Sequence, residues 1–282
     1  MPISPQTFEY FRELVRTRSA IILEPGKEYL VESRLTPFAR THGFASVDEL
    51  TAELAKSSFN SMHRQVVEAM TTNETSFFRD AHPFEMLRTT LLPQIIARRA
   101  KEKRLSLWCA AASTGQEPYT IAMMIREHFP ELRGWRIDFL ATDLSSAVLA
   151  KARTGRFSQL EVNRGLPAQL LVKYFTKVGM DWQLTDDVRT MIEYKELNLI
   201  ETWPVMPPID VVLMRNVLIY FDVPTKREIL RKVRTVMSPE GFLMLGGAET
   251  TMAIDDKFVR EQIGRGSAYR LAGAAASSTR AA

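Results

Sequence analysis

The chain has 282 residues, 45% of them hydrophobic and 25% charged, with a formal net charge of +4 and one cysteine. That length allows one large or two unequal domains with a sizeable core. A single thiol, Cys109, excludes an intrachain disulfide and a thiolate metal cluster. No run approaches the roughly 18 apolar residues of a membrane span, and the N-terminus lacks the layout of a signal peptide, so a cytoplasmic location is expected.

Residues 1–70 read as helices alone. Thr7 is placed to cap a first helix in which Phe8, Phe11, Leu14 and Val15 share a face. Residues 26–43 suit a second helix, interrupted near Pro37 and stopped at Gly43. Ser46 and Glu49 form a capping box for a third, and residues 60–70 make a fourth. This part carries eight Lys/Arg against nine Asp/Glu. The positive excess therefore lies beyond it, which argues against a nucleic-acid arm. Arg12 and Arg16 lie one turn apart, and Arg34 and Arg40 flank Pro37; a solvated face is the commoner reason for such charges.

Residues 71–80, TTNETSFFRD, are polar and break the helical period. A free linker has no use for Phe77 and Phe78, so the segment is expected to dock against the second domain. Asn73, Thr75 and Arg79 would then reach a ligand there, Arg79 by gripping a carboxylate bidentately. An amphipathic helix over 84–103 follows.

Residues 104–117, RLSLWCAAASTGQE, are the stretch around which the rest is organised. Leu105, Leu107 and Cys109 alternate with Ser106, Trp108 and Ala110 as a buried strand. Ala110, Ala111, Ala112, Ser113 and Gly115 have almost no side chain, so a ligand could lie against the backbone. Pro118 suits the first turn of the next helix. Strand, small-residue loop and helix make the mononucleotide-binding corner of a doubly wound α/β sheet. The glycines do not follow GxGxxG, and Glu117 at the helix start would repel a pyrophosphate but suit a cation. The next strand, 137–142, ends in Asp143, which can hydrogen-bond both hydroxyls of a ribose. A phosphate-free nucleoside with a positive charge describes S-adenosylmethionine. The plain alternative makes Glu117 and Asp143 helix-capping acids.

A helix to about Arg156 comes next, then a loop and helix over 167–174. Short apolar alternation with a turn at Gly179 predicts a small antiparallel hairpin before a core strand over 191–199, with Asp186 and Asp187 as another turn. A buried strand over 211–214 ends on Arg215 and Asn216, with Tyr220 beyond. Residues 225–237 form a basic amphipathic helix, 238–241 a turn, and the segment GFLMLGGAET (241–250) supplies another buried strand. A last pair over 258–263 and 268–271 closes the sheet, and 273–282 are expected to be disordered. Polar residues thus stand at four strand ends, where open α/β sheets bind their ligands.

TTNETSFFRD, CAAASTGQEPYTIAM, ATDLS, LNL, RNVLIYFD and FLMLGGAET resemble, in that order, segments of the CheR family of chemoreceptor glutamate methyltransferases. The resemblance runs from about Phe8 to Leu271. It implies an α/β class I SAM-dependent methyltransferase with a Rossmann-like mixed seven-stranded sheet, over 81–272. It adds a small all-helical N-terminal domain over 1–70 for receptor recognition, an interdomain segment over 71–80 and an inserted antiparallel β-subdomain at about 168–190. S-adenosylmethionine would be the cofactor and S-adenosylhomocysteine the product. Asn73, Thr75, Arg79, Ala110, Glu117, Asp143, Asn198, Leu199, Arg215 and Asn216 would bind the cofactor, with Arg79 and Tyr220 nearest the chemistry. Arg34, Arg40 and Lys27 are candidates for the receptor face, and no metal site is expected. The partner implied is the cytoplasmic helices of methyl-accepting chemoreceptors, met by a monomer without nucleic acid or membrane insertion. Residues 175–188 look short for a peptide-binding insertion, which suggests independence from a receptor C-terminal tether. The rivals are a methyltransferase for another carboxylate, a non-catalytic SAM-binding regulatory module and, more distantly, an NAD-dependent oxidoreductase.

Overall fold

A computed structural model describes residues 3–273. Apart from Gly273, the tail expected to be disordered lies outside those residues. Helices α1 (Pro5–Ser19), α2 (Glu28–Thr41), α3 (Val47–Leu54) and α4 (Ser61–Ala69) enclose a core of their own that includes Phe8, Phe11, Val15, Leu35 and Leu50. The cap of α1 is Ser4 rather than Thr7. Pro5 starts the helix early because its missing N–H costs nothing in a first turn, and Thr7 N–H donates to Ser4 Oγ at 3.1 Å. The expected break at Pro37 is absent. Val31, Leu35 and Ala39 are buried on both sides of it, and that burial outweighs the lost hydrogen bond. Half of the capping box forms as drawn, Glu49 N–H donating to Ser46 Oγ at 3.1 Å. Its carboxylate reaches one residue further back, accepting Ala45 N–H at 2.6 Å.

The helix expected over 84–103 is α5 (His82–Met86) and α6 (Leu92–Arg99), joined through a π-helical turn (Leu87–Leu91) ahead of Pro93. Then follow β1 (Arg104–Ala110), α7 (Gln116–His128), β2 (Arg136–Asp143) and α8 (Ser146–Thr154). The smaller layer comprises β3 (Arg156–Ser158), α9 (Gln159–Asn163), α10 (Ala168–Tyr174), β4 (Phe175–Val178), β5 (Asp181–Leu184) and α11 (Asp186–Arg189). The chain returns to the main sheet with β6 (Glu193–Glu196), β7 (Ile209–Met214), α12 (Val223–Val236), β8 (Met237–Leu245), β9 (Phe258–Ile263) and β10 (Gly266–Leu271).

The main sheet is seven-stranded in the order β6-β2-β1-β7-β8-β10-β9, and β10 runs antiparallel to both neighbours. β1 is the switch point: the chain leaves it toward β2 on one side and returns at β7 on the other, opening a crevice at its carboxyl end. Its alternating residues feed two cores. Leu105, Leu107 and Cys109 face one, Trp108 and Ala110 the other.

Three expectations need correction. The inserted element is a three-stranded sheet, β3-β5-β4, that begins at Arg156 rather than near 168. A three-residue strand is too short to display a period of two. The core strand expected over 191–199 is only β6. Residues 238–241 form no connecting turn but lie inside β8, which shifts register against β7 between Ile209 and Val211. Gly241 is required there, since a Cβ would stand 2.9 Å from the Ile209 carbonyl oxygen.

Candidate active site

At the end of β1 the chain crumples. Ala111 has φ 58°, Ser113 φ 51° and Gly115 φ 95°, conformations that disfavour bulky residues. At Gly115 a Cβ would meet Tyr194 Oη at 2.8 Å and Tyr119 Cε2 at 3.0 Å. Ala112 N–H ties the loop to β2 through the Thr142 carbonyl at 2.9 Å.

Asp143 is buried where this loop meets the tip of β2. Its Oδ2 accepts Ser113 N–H at 2.9 Å and its Oδ1 accepts Ser145 N–H at 3.0 Å. The cap of α8 is Ser145, so the capping alternative for Asp143 does not hold. A carboxylate has about four lone-pair positions, which leaves acceptor capacity for the cleft. Burial raises the Asp143 pKa above the ordinary carboxylate value; the backbone N–H donors oppose that rise and the nearby Glu68 adds to it.

Glu117, in the first turn of α7, accepts from Arg215 Nη1. The Arg215 side chain is only 1% exposed. Its Nη2 donates to Asp80 Oδ2 at 2.8 Å and to the Arg79 carbonyl at 3.0 Å, and the guanidinium lies 5.4 Å from the Phe84 ring centroid. Arg215 borders the cleft, but these two hydrogen-bond arms are committed to Glu117 and the 71–80 segment. Glu117 is thereby held in place.

That segment is docked as expected. Phe77 is fully buried against Phe157 and Phe175, at ring-centroid distances of 5.0 and 5.9 Å. Phe78 N–H donates to Thr120 Oγ1 at 3.2 Å, and Ser113 Oγ donates to the Asn73 carbonyl at 2.7 Å. The segment therefore roofs the small-residue loop. Arg79 is half-buried and donates to the Glu74 carbonyl at 3.1 Å.

Asn73, Thr75, Arg79, Glu117, Asp143, Asn198, Leu199, Arg215, Asn216 and Tyr220 all border one cleft. Ala110 does not. It ends β1 with its side chain in the core, and Ala111, Ala112 and Ser113 form the wall instead. Asn198 Nδ2 donates to the Arg18 carbonyl at 2.8 Å, linking the cleft to the end of α1. Arg34 and Arg40 stand away from the cleft. Arg34 is tied down by neutral acceptors: Nη2 donates to Thr72 Oγ1 at 2.8 Å and Nη1 to the Met70 carbonyl, bracing the start of the roof. Arg40 is exposed, and Lys27 lies over the Tyr29 ring at 5.8 Å.

Sequence reasoning missed Ser19 and Ile21 on the cleft and three acids behind it. Asp80 meets Arg215, Glu68 accepts the hydroxyls of Ser145 and Ser146 at 3.2 and 3.0 Å, and Glu249 collects backbone amides of the loop after β7. Only the GGAET segment hinted at the last, through an acid shortly after a buried strand.

The geometry admits a nucleoside bearing a cationic sulfonium. Asp143 suits a diol, Glu117 suits a positive charge, and Ala111, Ala112, Leu199 and Val217 suit an adenine face. Comparison with known proteins agrees. Residues 6–71 match the all-alpha domain of CheR methyltransferase and residues 73–266 its SAM binding domain. A chemotaxis protein methyltransferase of Pseudomonas putida is 36% identical over 268 residues, covering 93% of this chain and 97% of the relative. One from Pseudomonas aeruginosa has the same identity and coverage. One from Vibrio parahaemolyticus is 33% identical over 272 residues, covering 95% and 98%.

Proposed function

The chain belongs to the CheR methyltransferase family and is a SAM-dependent methyltransferase of chemotaxis, and on that premise we propose that it esterifies glutamate side chains of chemoreceptors. The products would be glutamate 5-O-methyl ester and S-adenosylhomocysteine. The observation that carries this reading is the meeting of Asp143, Glu117, Arg79 and Tyr220 around one cleft whose roof is residues 71–80.

S-adenosylmethionine supplies an electrophilic methyl group on a sulfonium. In this assignment Asp143 accepts from the ribose hydroxyls, Glu117 faces the amino-acid portion, and Asn198 and Leu199 flank the adenine. Asn73, Thr75, Arg215 and Asn216 complete the enclosure. A substrate glutamate is already ionised at neutral pH, with an ordinary pKa of about 4.3, and needs no general base. None of the four histidines borders the cleft. Arg79 orients a carboxylate and Tyr220 steers the attacking oxygen. The transfer brings an anion to a cation and removes charge, so excluding water and aligning the pair are the protein's main contributions.

Residues 1–70 are the proposed receptor-facing domain. Arg40 is its exposed candidate cation, whereas Arg34 acts on the roof. The turn between β4 and β5 is tight, Val178 pairing with Asp181 across Gly179 and Met180, which supports working without a receptor tether. The test is methyl-labelled cofactor with receptor-containing membranes and detection of base-labile methanol. Label on wild-type receptors but not on receptors whose glutamates are alanine supports the proposal. Label that persists on the alanine receptors points to another carboxylate. Binding of S-adenosylhomocysteine without any label indicates a regulatory module.

A further inference from the structure

The loops after β7 and β8 meet on a single carboxylate. Glu249 accepts the backbone N–H of Asn216 at 2.7 Å, Val217 at 2.9 Å, Ile219 at 3.3 Å and Gly246 at 2.6 Å. Its own N–H donates to the Gly246 carbonyl at 2.9 Å, closing the turn that aims the side chain. Asn216 has φ 58°, and a left-handed residue in such a turn lets successive amides converge on one anion. Residues 215–217 lie outside the helix and strand ladders, so Glu249 supplies an acceptor the backbone does not.

Gly246 is fitted to this clamp. A Cβ there would stand 2.7 Å from Glu249 Oε2, 2.9 Å from Asn216 N and 2.9 Å from Asn216 Nδ2. Asn216 and Tyr220 border the cleft, whereas Glu249 does not. The carboxylate works from behind the wall.

We infer that Glu249 is a positioning residue for methyl transfer, fixing the 215–220 loop so that Asn216 and Tyr220 keep their places at the cleft. The reaction named here rests on the function proposed above; the clamp itself does not. Asp143 lies across the cleft on β2 and is untouched by it. Loss of the clamp should slow turnover through Tyr220 and also weaken cofactor binding through Asn216 and Val217, which border the same cleft.

The experiment uses the full chain with Glu249→Gln, Gly246→Ala and both together. Glutamine keeps one acceptor oxygen and replaces the other with a donor. Backbone hydrogen exchange in peptides spanning 215–220 should become at least about tenfold faster in either variant, while β1 and α7 stay protected. In both, kcat should fall about tenfold or more, and the Kd for S-adenosylhomocysteine should rise by a smaller factor, because Asp143 and Glu117 lie outside the freed loop. The double variant should be no slower than the worse single one, because both act through the same loop. Glu249→Asp should recover part of the turnover. Unchanged exchange over 215–220, multiplicative losses in the double variant, or faster exchange throughout the domain would each overturn the proposal. If the wild-type protein forms no methyl ester, the function reading fails, and exchange over 215–220 still decides whether the clamp exists.

Discussion

Replacing Asp143 with Asn tests the cofactor site most directly. The carboxylate is buried and accepts two backbone amides, at 2.9 and 3.0 Å. Asparagine has nearly the same shape but one acceptor oxygen and a donor amide, so one backbone N–H or one ribose hydroxyl loses its acceptor. A hydrogen bond to a charged group is worth about 1.5–3 kcal/mol, so affinity for S-adenosylhomocysteine should fall about ten- to a hundredfold. Calorimetry at neutral pH measures this, with thermal unfolding as a check that the fold survives. A pH series adds a second signature. Burial raises the Asp143 pKa, and a diol donates to the ionised form, so wild-type affinity should weaken as pH falls through that raised value. Asp143→Asn should remove this part of the pH dependence, because the amide does not titrate. For stability the sign is opposite: a raised carboxyl pKa means the native state holds its proton longer. This group's contribution to stability is then largest below its unfolded pKa and declines as pH rises through the folded one. Affinity of the variant within about threefold of wild type, with an unchanged pH profile, would remove Asp143 from the site.

Four other substitutions probe the supports and the receptor face. Arg215→Ala strips the partner from Glu117, whose side chain is only 14% exposed, and should cost about 3–5 kcal/mol, read as a lower urea midpoint; an unchanged midpoint would deny the pair its structural role. Glu68→Ala removes the acceptor for Ser145 and Ser146 and should loosen the helical domain by about 2 kcal/mol, seen as faster proteolysis within 71–80. It should also lower the pH at which cofactor affinity is lost, since Glu68 helps raise the Asp143 pKa. Arg40→Glu should slow receptor methylation with cofactor affinity intact, whereas Arg34→Glu should weaken the cofactor as well through the roof; identical effects would reject that division.

The fold class was legible because its signals are local. The run of small residues after β1, Pro118 at the start of α7 and Asp143 at the tip of β2 declare a nucleoside-binding corner through turn chemistry and strand patterning. Ten of the eleven residues assigned to the cofactor and the chemistry border the same cleft; Ala110 misses because its neighbours occupy the surface. Where periodicity was too brief, as in three-residue β3, or was overridden by packing, as at Pro37 and the 238–241 bulge, sequence patterning failed.

Pairing across long stretches of chain was decided by the tertiary structure. Arg215 meets Glu117 across 98 positions and Asp80 across 135, and Glu68 reaches α8 from the other domain. A buried charge takes whichever partner the folded backbone delivers, and nothing in its immediate neighbours records that choice. The same reason ties Arg34 to Met70 and Thr72 at the start of the roof and brings Glu249 behind the loop after β7. Composition and local order could say which ligand chemistry this chain suits; only packing could say which side chains touch the ligand's space and which hold those that do.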